Sequence, residues 1–355
     1  MDKFKIDSHK LNYHPARVAA WADGECIAPI YMEISPSGAC NHRCTFCGLD
    51  FMGYGPHRLD TAMLKDRLAE MSAMGLKSVM YAGEGEPFLH PDMVDIVLHT
   101  KAVGIDVALT TNGTLMTEDA ARSVLPVTSW IKVSCNAGDA ETYAAVHRTK
   151  AAHFDLAVKN MARAVELRRE LGSACTLGVQ SLLLPENRAS LPTLARTARD
   201  IGLDYLVVKP YSQHPSSVTD RYKDVSYQDA EQFAEELRAL STDSFNVVVR
   251  QSAMRKWDEK SRPYGKCQAL PFWSYVDSRG GVWGCSVFLG EERFLYGNIN
   301  ETGFADIWSG ETRRKSLAWF DAEFDCSGCR VNCRMDEINR YLWELKHPGP
   351  HVNFI

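Results

Sequence analysis

From residue 31 the chain alternates short apolar runs with longer stretches whose apolar positions recur at helical spacing. Residues 31–35, 78–82, 106–110, 130–134, 175–183 and 205–209 read as strands. Between them 59–75, 91–104, 118–125, 139–147, 154–171 and 191–202 read as helices. In 59–75 the buried stripe is Leu64, Leu68 and Met71, with Gly75 as a stop. Pro91 sits where a first helical turn tolerates a missing N–H. Six strand–helix units in regular alternation predict an α/β fold with a parallel sheet and helices outside. The pattern fits an open doubly wound sheet as well as a barrel.

The pattern changes after residue 262. Residues 274–277 and 282–285 alternate around a turn at Ser278-Arg279-Gly280-Gly281, which predicts a hairpin. The division expected is an N-terminal extension (1–30), a strand–helix core (31–225), a connection of helix and strand (226–262), a hairpin region (263–346) and a tail (347–355). The tail cannot continue a helix past Pro348; folding back and fraying are both compatible with it.

At 355 residues the chain has room for one large domain and a smaller one. The net charge of −5, without blocks of like charge, points away from a nucleic-acid partner. Residues 1–7 are charged and lack the apolar segment of a signal peptide. No apolar run is long enough to span a bilayer, so no membrane partner and a cytoplasmic location are expected. The eleven cysteines cluster: Cys40, Cys44 and Cys47 near the start, then Cys267, Cys285, Cys326, Cys329 and Cys333. Cys26, Cys135 and Cys175 are scattered, as small buried residues often are.

Three thiolates within eight residues can hold three irons of a four-iron cluster and leave the fourth open to a small molecule. The run Cys40-Asn41-His42-Arg43-Cys44-Thr45-Phe46-Cys47, with an aromatic residue before the last cysteine, resembles the signature of the radical S-adenosylmethionine (SAM) superfamily. That resemblance implies a 4Fe–4S cluster on the three cysteines, with Phe46 beside it. It further implies SAM on the open iron and reductive release of a 5′-deoxyadenosyl radical. It selects a partial (β/α)6 TIM-like barrel with the chemistry at the C-terminal ends of the strands. An electron donor such as flavodoxin or ferredoxin is implied as a partner.

Gly83-Glu84-Gly85-Glu86-Pro87 resembles the family's Gly-Gly-Glu-Pro element, which contacts the SAM amino group. Glu84 replaces a glycine there and leaves open whether its carboxylate faces substrate or solvent. The resemblance also places ribose and carboxylate contacts at strand ends, here Asn112 and Ser134. Asn112-Gly113 is equally a turn signal. Gln180 and Lys209 are further candidates for contact with SAM or substrate.

Twelve residues separate Cys267 from Gly280, and four separate Gly280 from Cys285. This resembles the SPASM and twitch extensions of radical SAM enzymes, which bind auxiliary clusters. Five cysteines, fewer than the seven of a two-cluster SPASM domain, favour one auxiliary 4Fe–4S cluster on Cys267, Cys285, Cys326 and Cys329. Cys333 is a spare thiol or substitute ligand, and two separated pairs also fit zinc. Such an enzyme abstracts hydrogen from a substrate C–H bond, with net oxidation the leading outcome. If a thiol returns hydrogen, the outcome is epimerisation, with Cys135, Cys175 or Cys333 as donor. The short segment before residue 31 suggests a small-molecule substrate (a sugar, aminocyclitol or nucleotide-sugar), with Tyr211, Gln213 and His214 lining its pocket. The alternatives are a peptide or protein side chain as substrate, and a non-catalytic metal protein.

Overall fold

The structure, a computed structural model, describes residues 4–6 and 8–354. Parts of the predicted N-terminal extension (1–3 and 7) and of the tail (355) lie outside the described residues. After α1 (Pro15–Ala22) the chain lays down β1 (Tyr31–Ile34), α2 (Thr61–Ala73), β2 (Ser78–Tyr81), α3 (Met93–Ala102) and β3 (Asp106–Thr111). Then come α4 (Glu118–Val124), β4 (Thr128–Ser134), α5 (Ala140–His147), α6 (Ala152–Glu170), β5 (Thr176–Leu183), α7 (Leu191–Ile201) and β6 (Tyr205–Pro210). These are the six expected units. Segment 226–262 supplies α8 (Ala230–Arg238), β7 (Asn246–Val249) and α9 (Gln251–Glu259). β7 pairs parallel with β6, so the stretch expected as a connection adds a seventh parallel strand.

Strands alternate their side chains between two faces. Met32, Ile34, Val79, Leu109, Val133, Val179 and Leu206 turn outward into one apolar core under the helices. α2 shows how the local sequence shapes this layer. Asp60 caps it by accepting from Met63 N at 2.8 Å, and Leu64, Leu68 and Met71 are fully buried, as their spacing predicts. The other face of the strands lines the interior, and there Tyr31, Glu33, Met80, Trp130, Lys132, Ser134, Gln180 and Lys209 follow the same register.

The C-terminal part contributes β8 (Trp273–Val276), β9 (Gly281–Trp283), β10 (Leu295–Asn298), α10 (Phe304–Ser309), α11 (Glu311–Glu323) and α12 (Asp336–Lys346). The predicted hairpin is β8–β9, but it does not stand apart from the core. β8 pairs parallel with β1, giving one sheet in the order β10-β9-β8-β1-β2-β3-β4-β5-β6-β7. β9 ends at Trp283, so Cys285 lies just past the returning strand and not on it.

Glu84 joins the two parts. Its carboxylate accepts from Ser278 N at 2.9 Å and Ser278 Oγ at 3.1 Å, at the tip of the β8–β9 turn. It is thus buried away from solvent, against the hairpin. Glu84→Ala strands a buried N–H and hydroxyl, and should cost about 1–3 kcal/mol in denaturant unfolding. Hydrogen exchange should accelerate first in 276–284, and unchanged exchange there would show that Glu84 does not tie the hairpin down.

Candidate functional site

The cysteine loop leaves the C-terminal end of β1 and packs beneath the loop after β2. Glu86 N donates to Ala39 O at 2.9 Å, and Glu84 N to Ser35 Oγ at 3.2 Å. Gly85 lies so close to this loop that an added Cβ would overlap the carbonyls of Ser37 and Ala39. The glycine is thus required by the cysteine loop itself. Gly83 adopts φ +117° against Ser35 and Tyr275, and Pro87 opens a short 3-10 turn.

Glu86 is buried and accepts from Thr111 Oγ1 at 2.6 Å and Asn112 N at 2.7 Å. Burial pushes its carboxyl up to about 6, partly offset by those hydrogen bonds. Asn112 donates from Nδ2 to Asn41 Oδ1 at 2.6 Å, and its own oxygen accepts from Thr114. Both side chains brace the end of β3 against the cysteine loop. Ser134 and Gln180 are register partners on β4 and β5. They face the interior, and their side chains make no hydrogen bond among the described residues.

Cys40, Cys44 and Cys47 are free thiols, and Cys44 feels the charge of both others. Burial pushes the Cys40 thiol up to about 11 and raises the other two. As thiolates they therefore call for a cation partner. Asp50, on the same loop, accepts from Ser217 Oγ, Val218 N and Thr219 N, which fixes the segment after β6 against the cysteines.

A residue outside the sequence expectations joins them. Cys44 Sγ, a His42 nitrogen and a His147 nitrogen lie within 4.8 Å of one another. Asn136 N donates to His147 Nε2 at 3.1 Å, so that nitrogen is an acceptor. Burial lowers the His147 pKa well below its ordinary value, so the ring is neutral. Its proton then sits on Nδ1, 3.2 Å from Cys44 Sγ, and makes an N–H···S hydrogen bond. With both nitrogens engaged, His147 is a second-layer donor to the thiol and not a metal ligand. Phe46 packs edge-on against this ring at 5.4 Å. The signal available in the sequence was a histidine ending a helix, which by itself points nowhere.

The scattered cysteines do not reach the interior. Cys135 is fully buried on the helix side, and its thiol donates to Ala137 O at 3.4 Å. Cys175 lies just before β5, at the far end of the strand, against Thr128 Oγ1 at 3.2 Å. This burial tells against both as hydrogen donors to a substrate. Tyr211 is also buried, donating to Gln213 Oε1 at 2.8 Å, while Gln213 Nε2 donates to Thr219 O. His214 stacks on Phe51 at 5.0 Å and reaches Ser286 O at 3.3 Å. These three brace the loop after β6.

The C-terminal cysteines converge. Cys267, Cys285, Cys326, Cys329 and Cys333 share one apolar cluster with Trp273, Tyr275 and Trp283. The Cys326 and Cys329 thiols lie close enough to shift each other's ionisation, and Cys267 and Cys285 both feel Cys333. Cys333 therefore belongs to the same group of thiols. Arg262 donates to the carbonyls of Cys326 and Cys329, and Asn339 Nδ2 donates to Cys267 Sγ at 3.2 Å.

The description "Radical SAM superfamily" matches residues 34–198, and "Iron-sulfur cluster-binding domain", SPASM, matches residues 267–334. The chain carries a radical SAM domain and a SPASM domain. It is 26% identical over 197 residues to GTP 3′,8-cyclase of Chlorobaculum tepidum, covering 54% of this chain and 57% of that enzyme, little more than half its length. It is 25% identical over 317 residues to the mycofactocin maturase MftC of Mycobacterium tuberculosis, covering 85% of this chain and 76% of that protein. Its fold matches the crystal structure of Streptococcus suis SuiB bound to precursor peptide SuiA, with a TM-score of 0.66 and 18% identity, over 85% of this chain and 69% of that one.

A radical SAM barrel binds a 4Fe–4S cluster and SAM, and a SPASM domain binds auxiliary clusters. The residues present fit these groups. Three free thiols converge at the end of β1, two unpaired polar side chains face the same interior, and five thiols gather beside β8. When bound and reduced, the first cluster supplies the electron that cleaves SAM. No helix among the described residues is long and apolar enough to cross a membrane.

Changing Cys40, Cys44 and Cys47 together to Ala should remove about four irons per chain and leave the iron of the C-terminal site; zinc in that second site would contradict the expectation. His147→Phe removes the N–H···S bond while keeping a ring in place. The midpoint potential of the first cluster should fall in a titration followed by electron paramagnetic resonance, because hydrogen bonds to cluster sulfurs stabilise the reduced form. An unchanged potential would show that His147 only packs.

Proposed function

We propose that this radical SAM enzyme modifies a peptide, abstracting hydrogen from a C–H bond of a residue held inside the barrel. The observation that supports this most is the extent of likeness to SuiB: barrel and SPASM region together, 85% of the chain, match a fold whose structure holds a precursor peptide. The likeness to the mycofactocin maturase spans the same share.

In this reading Cys40, Cys44 and Cys47 hold the SAM-binding cluster, and Ser134 and Gln180 face the bound SAM. Glu86 and Asn112 act one step back, by fixing the loops that shape its site. The five C-terminal thiols, gathered beside β8, would hold a centre able to accept an electron, and this supports net oxidation of the substrate over epimerisation. An external electron donor such as flavodoxin or ferredoxin completes the cycle.

A small metabolite as substrate is the second reading. The match to GTP 3′,8-cyclase, confined to about half of this chain, favours it.

The test is anaerobic incubation of cluster-loaded protein with SAM, reductant and short peptides encoded beside its gene. 5′-Deoxyadenosine should rise with one peptide, and that peptide should lose two hydrogens by mass. Stimulation by nucleotides or sugars, with every peptide inert, would favour the second reading.

A further inference from the structure

The interior of the barrel is strongly cationic. Alternation along β4 puts Lys132 on the face of Trp130 and Ser134, while Ile131 and Val133 enter the outer core. Register pairs Ser134 with Gln180 and Gln180 with Val207, which brings Lys209 to the same interior face of β6. Arg250 follows β7 directly. Two arginines of the SPASM tail close over this space. Arg334 pairs with Glu33 Oε2 at 2.7 Å and donates to Tyr31 OH at 2.5 Å, both interior residues of β1. Arg330 donates to Ser212 O at 2.7 Å, beside the cysteine loop at Gly48.

Lys132 and Lys209 have no acceptor among the described residues. Glu33 is already matched by Arg334. Neither lysine makes a hydrogen bond or ion pair with any described residue, and Lys132 meets only the Trp130 ring at 5.2 Å. The metal centres account for Arg330, which lies near Cys47 and Cys333. They do not account for the lysines, whose strongest electrostatic neighbours are Arg250, Arg330, Arg334, Glu33 and, for Lys209, Lys132. Burial and these neighbouring cations push Lys132 down to about 8 and Lys209 well below its ordinary value. SAM itself, with a sulfonium, an ammonium and one carboxylate, adds net positive charge. Enclosed cations without acceptors are costly, and a partner of opposite charge removes the cost.

We infer that the substrate group received inside the barrel is a carboxylate, held between Lys132 and Lys209. This rests on the proposed function. In a peptide the carboxylate is either an Asp or Glu side chain or the free C-terminus, and the site orients it so that a neighbouring C–H faces the SAM site.

The test is isothermal titration of anaerobic, cluster-loaded, SAM-bound protein with four probes. These are a capped pentaglycine carrying glutamate at its centre, its glutamine counterpart, pentaglycine with a free C-terminal carboxylate, and glutarate. At least one carboxylate peptide should bind roughly tenfold tighter than the glutamine peptide, as expected for an enclosed charge pair. Which one it is separates side chain from C-terminus. Lys132→Met and Lys209→Met should each abolish the preference, and Lys209→Arg should restore part of it. Iron content, SAM affinity and thermal midpoint identify any variant that has simply misfolded, in which case the wild-type comparison of both carboxylate peptides with the glutamine peptide decides. Binding of the glutamine peptide as tight as that of both carboxylate peptides, or binding of no probe at all, overturns the carboxylate site. So does retention of the preference in folded Lys→Met variants, or loss of SAM affinity alone. Lysine-dependent binding of glutarate with all peptides inert keeps the carboxylate site and removes the peptide reading.

Discussion

Strand β1 is hydrogen-bonded along both edges, parallel to β2 on one side and to β8 on the other. Only four residues long, it alternates Met32 and Ile34 into the outer core with Tyr31 and Glu33 into the interior. The cysteine loop springs from its end, so the position of the first metal centre is set by a strand that neither neighbour can leave without breaking a ladder. Parallel strands need both faces covered. Here one face is covered by helices and the other by the side chains that bear the chemistry.

The pairing of β1 with β8 also explains how the two metal regions are held together. β8 begins the SPASM hairpin, and the hairpin tip is fastened by Ser278 to Glu84, in the loop that presses on the cysteines. His214, on the loop after β6, reaches Ser286 from the other side. The auxiliary thiols are thereby fixed to the barrel mouth by sheet pairing and buried polar bonds. β8 is joined to β1 by a ladder of the same sheet.

Charge follows the same division. Polar residues of the loops are largely consumed in bracing one another: Glu86 with Thr111, Asn112 with Asn41, Asp50 with the segment after β6. On the interior strands Lys132, Ser134, Gln180 and Lys209 hydrogen-bond none of the described residues, and their net charge is positive. A site built in this way separates the residues that hold shape from those left to meet a ligand.

Much of this was legible in the chain itself. The alternation of apolar runs determined six strand–helix units, because burial of one stripe per helix and one face per strand imposes those periods. The spacing of Cys40, Cys44 and Cys47 determined a three-thiol site, because ligands on one loop are near in space whatever the fold. Long-range placement was not legible. Asn246–Val249 carries too few residues to distinguish a seventh strand from a connection until β6 lies beside it. The partners of Glu84 and Cys44 are Ser278 and His147, remote in sequence, and no local pattern joins them. Cys135 and Ser134 are neighbours in the chain, yet strand alternation sends one into the core and the other into the interior. The same alternation, applied to Lys132 and Lys209, yields a shared cationic chamber only once β4, β5 and β6 are in register: periodicity is written locally, whereas register is decided by the packed sheet.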